Sequence, residues 1–263
     1  MGTDVLGTTG IVKLEGAFSS EDAARMRDVV WSELARRHGI ERDDPTTWYR
    51  HTPTGLTTTK KSEAFKPICG PVLGAFLDSL FGPGAWRRPK HFGNVLVTMP
   101  NALEWRVPDR VWHSDSQPTL GTDRLPVVKL WALFDDVDPG GGGTPQLAGS
   151  HRAFARWVAR TGEHDYKRAK FGFLESHPWL RMLTSDDGDR DRNRRLLNDG
   201  VELDGVELRV MECTGRAGDV YVTHPWVFHS IAPNATARPR LMRSVGVAAA
   251  DAGDADFAPS SNS

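Results

Sequence analysis

Apolar positions change their period near residue 91, which divides the chain into a helical first third and a strand-rich remainder. Ser19-Ser20-Glu21-Asp22 reads as a helix start, because a hydroxyl there can accept the orphan N–H groups of the first turn. Met26, Val30 and Leu34 follow at four-residue spacing before Gly39 stops the pattern, which predicts an amphipathic helix lying over a sheet. A second helical run over 62–80 carries Phe65, Ile68, Val72, Phe76 and Leu80. Pro67, Gly70 and Pro71 predict a break inside it, since proline removes a donor and clashes with the preceding turn.

From His91 onward the runs become short and strand-like, over 91–99, 111–115, 127–134, 206–212, 219–223 and 241–249. Many short strands punctuated by Gly and Pro predict a mainly β fold, a two-sheet jelly-roll barrel with flanking α-helices. The stretch 185–198 is dense in Asp and Arg with no apolar period before Leu196, so it is expected to be a solvated loop or lid. The tail after Ala250 is expected to be disordered. The length of 263 residues suits a single domain over 1–263, with a helical part at 9–90, a core at about 91–250 and a tail at 251–263.

Charge narrows the function. The 33 Lys and Arg nearly cancel the 34 Asp and Glu, so no global field favours nucleic acid or an acidic membrane, and a small-molecule partner is expected. No basic-flanked apolar leader is seen near Met1, and no stretch approaches the roughly 20 apolar residues that span a bilayer, so a cytoplasmic location is expected. Cys69 and Cys213 stand far apart with no CxxC, which points to packed thiols rather than a disulfide or a thiolate zinc site.

The candidate chemistry lies in two clusters. In Val111-Trp112-His113-Ser114-Asp115, strand alternation sets the His113 imidazole beside the Asp115 carboxylate. Alone, such a tripeptide is common and reads more readily as a strand-end histidine beside a solvated acid. The second cluster runs from Gly218-Asp219 through a strand to His224 and His229. Two histidines and a carboxylate form a facial triad that leaves three adjacent positions on octahedral iron, enough for a bidentate 2-oxo acid and O2. Arg240 follows His229 by eleven residues and offers a fork for a carboxylate. The plainer alternative is that Arg238, Arg240 and Arg243 form a solvated basic rim.

At these residues the chain resembles the phytanoyl-CoA dioxygenase family of Fe(II)/2-oxoglutarate oxygenases. The matching pieces are His113 and Asp115, Trp131 eighteen residues after His113, Gly149-Ser150-His151-Arg152 after a Gly-rich turn, and His229-Ser230-Ile231-Ala232-Pro233-Asn234 followed by Arg240. The resemblance implies a double-stranded β-helix, Fe(II) on His113, Asp115 and His229, the far carboxylate of 2-oxoglutarate on Arg240, and Trp131 lining the co-substrate pocket. It also implies oxidation of a small molecule such as a secondary metabolite by O2, with release of succinate and CO2. Related halogenases replace the carboxylate ligand with a small residue, so Asp115 implies hydroxylation as the default. His224 is the competing distal ligand; His229 is preferred because it precedes the Pro-Asn turn. His151 is expected to hydrogen-bond within its own turn.

Two positions depart from the family pattern. Ile231 stands where many members carry a small hydroxyl residue that assists the arginine, and Gly140-Gly141-Gly142-Gly143 replaces a more polar segment. Four glycines demand unusual turn geometry or a close approach. No nucleotide-binding helix or Lys-Ser/Thr pair follows them, so they are not read as a phosphate cradle. Trp48, Tyr49, Trp105, Arg106 and Trp226 are candidate substrate-lining groups. The alternative function is a non-catalytic, cupin-like metal or small-molecule binding protein with structural zinc, which would need His224 or His151 as a fourth ligand. A calcium loop at 186–191 is set aside, because it lacks the turn Gly and the bidentate Glu.

Overall fold

The structure, a computed structural model, describes residues 2–48, 53–116, 118, 125–186 and 188–253. In chain order its helices are α1 (Gly2–Thr9), α2 (Ser20–His38), α3 (Pro71–Phe81), α4 (Ser150–Thr161), α5 (Tyr166–Glu175) and α6 (Pro178–Arg181). Its strands are β1 (Ile11–Leu14), β2 (Trp86–Arg87), β3 (Asn94–Thr98), β4 (Val127–Leu133), β5 (Pro145–Ala148), β6 (Val201–Leu203), β7 (Val206–Glu212), β8 (Val220–Thr223) and β9 (Arg240–Ala249).

The predicted first helix forms as α2. The Ser19 hydroxyl accepts the Asp22 N–H at 3.0 Å, and Gly39 closes the helix in the left-handed region at φ 64°. The predicted break also forms: a 3-10 segment at Glu63–Cys69 meets α3 at an angle of 51°, with Pro71 in the first turn of α3. Among the described residues no single helix is long and apolar enough to cross a membrane. That bent pair passes such a test only by composition, and its Ile68, Leu73 and Leu77 are buried in the main core.

One antiparallel sheet runs β1-β8-β4-β9-β2, with β3 also paired to β9. The long β9 carries β4 along one side, and β3 and β2 in tandem along the other. The second sheet runs β5-β7-β6 and is widened by isolated bridges from His229 to both Gln146 and His113. Alternation on β4 sorts the layers. Val128, Leu130 and Ala132 join Met26, Leu34 and Leu77 in the core under α2 and α3. Trp131 and Leu133 face the space between the sheets, with Tyr221, Met242, Cys213 and Ala148. The outer face of the second sheet, with Leu147, Leu208 and Val210, packs on Phe154, Phe173 and Leu180 of α4–α6. The core is thus a jelly-roll barrel with helices flanking both sheets, although helices hold more of the chain than strands.

Three expectations change. The run 111–115 forms no regular strand: Val111 turns the chain at φ 63°, an uncommon region for a β-branched residue, and only His113 pairs. The segment 185–198 is more than a solvated loop. Arg192 is 1% exposed and donates to the carbonyls of Val107, Pro108 and Ser185 at 2.8–2.9 Å, and Leu196 is buried. Charge density along a sequence cannot show that one arginine of the set turns inward. Lastly, α4–α6 were not among the predicted elements. Tyr49, Arg50, His51 and the tail beyond 253 lie outside the described residues.

Candidate metal centre

The second sheet brings the two sequence clusters together. His113 N–H donates to the His229 carbonyl at 3.1 Å and His229 N–H donates back at 2.8 Å, so these residues form a bridge pair across 116 positions of chain. Directly paired antiparallel residues project to the same face, which sets both imidazoles side by side with ring centroids 4.3 Å apart. The Asp115 N–H is held by the Pro225 carbonyl at 3.0 Å, which turns its carboxylate toward them. One donor atom from each of His113, Asp115 and His229 lies within 4.8 Å of the others.

The ring tautomers suit metal binding. His113 Nδ1 lies 2.9 Å from the Val111 carbonyl and His229 Nδ1 lies 3.1 Å from the Val227 carbonyl. A carbonyl can only accept, so each Nδ1 carries the proton and each Nε2 keeps its lone pair for a metal. The unusual φ of Val111 helps aim that first carbonyl. Burial holds His229 down at about 4, against the pull of Asp115, so it is neutral at neutral pH. Burial alone would raise Asp115, but the ammonium of Lys129, 2.9 Å from its Oδ1 and hydrogen-bonded to it, holds it below the ordinary carboxylate value. Two imidazole nitrogens and one carboxylate make a donor set suited to ferrous iron with open positions.

His224 lies elsewhere. Its ring centroid lies 4.9 Å from that of His151 and 4.7 Å, edge-on, from that of Trp226, and its Nδ1 accepts the Trp226 N–H. His151 reaches across the fold to the Gly7 carbonyl at 3.2 Å rather than bonding within its turn. Neither belongs to the donor cluster, so the fourth ligand of a closed zinc site is not supplied by them.

Arg240 and Arg243 are both buried, while Arg238 is exposed and pairs with Asp138. The three do not form one solvated rim, because alternation along β9 sends Arg240 into the barrel and Arg243 under the helices. Arg243 stacks 3.7 Å from the Phe65 ring and donates to Thr59. Arg240 Nε donates to the Gly142 carbonyl at 2.7 Å, Nη1 to Leu96 at 2.9 Å and Nη2 to the Thr98 hydroxyl at 2.5 Å. Burial lowers it to about 10, so the guanidinium stays charged at neutral pH. Thr98 supplies the hydroxyl that Ile231 cannot, while Ile231 itself is exposed.

The glycine run now has a cause. Gly142 takes φ 82°, and the N–H groups of Gly140 and Gly143 donate to Glu212 at 2.8 and 3.1 Å. A Cβ on Gly143 would meet the Cys213 carbonyl at 2.4 Å. The run thus brings backbone close enough to present a carbonyl to Arg240. Trp131 packs edge-on against His229 with centroids 4.9 Å apart and donates its Nε1–H to Thr223 at 2.9 Å.

Of the candidate lining groups, Trp48 packs near Trp31 at 6.3 Å and Trp226 against His224. Trp105 is packed against the core under α4–α6, and Arg106 lies near Asp186. Nothing in their local sequence marks Thr98, Lys129 or Gln146 for these roles, because their placement depends on strand pairing.

A double-stranded β-helix with a two-histidine, one-carboxylate cluster on its inner face defines a non-haem iron oxygenase. More closely, the family model of phytanoyl-CoA dioxygenase matches residues 9–242, and the chain belongs to that family. It is a 2-oxoglutarate-dependent enzyme whose cofactors are Fe(II) and 2-oxoglutarate, with O2 as oxidant. The fold is shared with solved structures. The non-haem alpha-ketoglutarate-dependent carbocyclase SnoK from nogalamycin biosynthesis is 18% identical at a TM-score of 0.57, over 95% of this chain and 83% of that one. The epimerase SnoN from the same biosynthesis is 17% identical at 0.53, over 94% and 80%. AviO1 from Streptomyces viridochromogenes Tue57 is 16% identical at 0.54, over 96% and 95%. No curated protein matches the chain by sequence.

Proposed function

We propose that His113, Asp115 and His229 hold Fe(II), that Arg240 binds the far carboxylate of 2-oxoglutarate with Trp131 bordering it, and that residues 9–250 work as one oxygenase unit. The substrate in this reading is a secondary metabolite oxidised at a C–H bond, with hydroxylation as the default outcome. The bound iron and co-substrate supply O2 activation, with succinate and CO2 released. The protein's part is to bind, orient and exclude water. Lys129 can hold one carboxylate oxygen of Asp115 while the other faces the metal.

The observation that carries the co-substrate assignment is the setting of Arg240. A guanidinium has five N–H donors, and the protein bonds described above use three, one on each nitrogen. One N–H remains on each terminal nitrogen, inside the barrel. Among the described residues no salt bridge reaches Arg240: the Glu212 carboxylate acts on it only through space and is taken up by the N–H groups of Gly140 and Gly143, and a buried cation without a contacting anion is costly. A dicarboxylate chelating iron at one end supplies that anion at the other. The secondary-metabolite assignment draws support from the likeness to SnoK and SnoN, enzymes of nogalamycin biosynthesis.

Arg240→Ala tests this. The apparent requirement for 2-oxoglutarate should rise by roughly tenfold or more, as expected for loss of a charged hydrogen-bonding partner. Iron binding should stay nearly intact. Equal loss of both, with a lowered melting temperature, would indicate misfolding and remove the assignment.

A further inference from the structure

The bridges of the second sheet set three residues in one row: His113 pairs with His229, and His229 pairs with Gln146. Paired residues share a face, so the Gln146 side chain stands on the inner wall of the barrel, one strand, about 4.8 Å, from the iron ligand His229. Its β5 neighbours follow the same alternation, with Leu147 packed outward under α4–α6 and Ala148 facing the inner cluster. Gln146 is 1% exposed, and among the described residues neither its Oε1 nor its Nε2 has a hydrogen-bond partner. The Cys213 thiol lies beside it, but a thiol is a weak partner and no hydrogen bond of normal geometry forms.

A buried carboxamide with both ends unmet is unfavourable, and leucine or methionine would fill a similar volume without that cost. Such a group fits a ligand that enters the barrel. Within the barrel, Gln146 lies level with His229, at the metal end, whereas Arg240 is anchored at Gly142, four residues earlier in the chain. It is therefore placed for the end of the co-substrate that chelates iron rather than for the far carboxylate.

We infer that Gln146 binds 2-oxoglutarate directly, its amide N–H donating to an oxygen of the iron-chelating 2-oxo acid group. This rests on the proposed co-substrate site between the triad and Arg240. In such a site Gln146 is a second anchor, neutral and close to the metal, that fixes the plane of the chelating group while Arg240 fixes the opposite end.

Gln146→Leu and Gln146→Met separate this role from packing. In anaerobic titration with Fe(II), both variants should bind 2-oxoglutarate roughly tenfold more weakly, the loss of one hydrogen bond to a charged group. The iron-to-2-oxo-acid charge-transfer band should shift in position, because the hydrogen bond to the chelating group is gone. The metal-free variants should melt at or above the wild-type temperature, since an unmet carboxamide has been removed. Unchanged 2-oxoglutarate affinity and an unchanged band in a folded variant would overturn the inference. Should Arg240→Ala weaken 2-oxoglutarate while the Gln146 variants do not, only this inference fails. If none of the three variants weakens it, the proposed co-substrate site itself fails.

Discussion

At the scale of single residues, the choice between His224 and His229 shows what spacing can and cannot decide. Both follow the same strand, and the sequence prefers His229 only through the Pro-Asn turn that follows it. The fold separates them: His229 bonds back to His113, while His224 turns to His151 and Trp226. His224→Ala should therefore retain metal at near wild-type affinity and His229→Ala should lose it, as read by equilibrium dialysis with Fe(II) or Ni(II). The opposite pattern would remove His229 from the ligand set. His113, Asp115, His229 and Arg240 were legible in the sequence because their residue types and order carry the chemistry. Thr98 and Gln146 were not, because their importance comes from the partners that strand pairing provides. Thr98 faces Arg240 across a strand pair spanning 142 positions, and nothing near Thr98 in the sequence marks it.

Among the elements, period was a good guide where a segment packs by one face. The run predicted at 206–212 is β7, and 241–249 matches β9 to within one residue. It failed where polar groups do the packing. The segment after α6 is fastened by Arg192, whose guanidinium bonds three carbonyls, and by Asn193, which bonds Trp105 and Val107 at 2.9 Å. These contacts fix 105–108, the stretch that leads into His113. Arg192→Ala should cost about 2–4 kcal/mol, because three carbonyls, that of Val107 buried, lose their donor and a buried side-chain volume is emptied. Urea unfolding checks this; a change under about 0.5 kcal/mol, the level of an ordinary surface substitution, would return the segment to the status of a solvated loop.

For the whole molecule, near-neutral charge makes individual buried groups, rather than net repulsion, the source of acid sensitivity. Burial lowers His151 from 6.5 to about 4, and burial together with His151 lowers His224 to about 3. The unfolded chain then binds protons below pH 6.5 that the folded chain refuses, so stability is full above that pH and falls as the pH is lowered. At pH 5 the loss should be about 2 kcal/mol for each of these histidines, seen as a lower urea midpoint than at pH 7.5. A flat midpoint across that range would show that neither histidine is held neutral. The same fold frames the central claim, since two sheets present the metal donors on one inner wall and Arg240 on the other. The most direct measurement is an anaerobic titration of the protein with Fe(II) and 2-oxoglutarate, recording the visible charge-transfer band of a 2-oxo acid chelated to ferrous iron. The expected result is a saturable band in the wild type that is lost in Asp115→Ala. Absence of the band in a folded protein that binds zinc tightly would contradict the oxygenase assignment and favour a non-catalytic cupin-like binding protein.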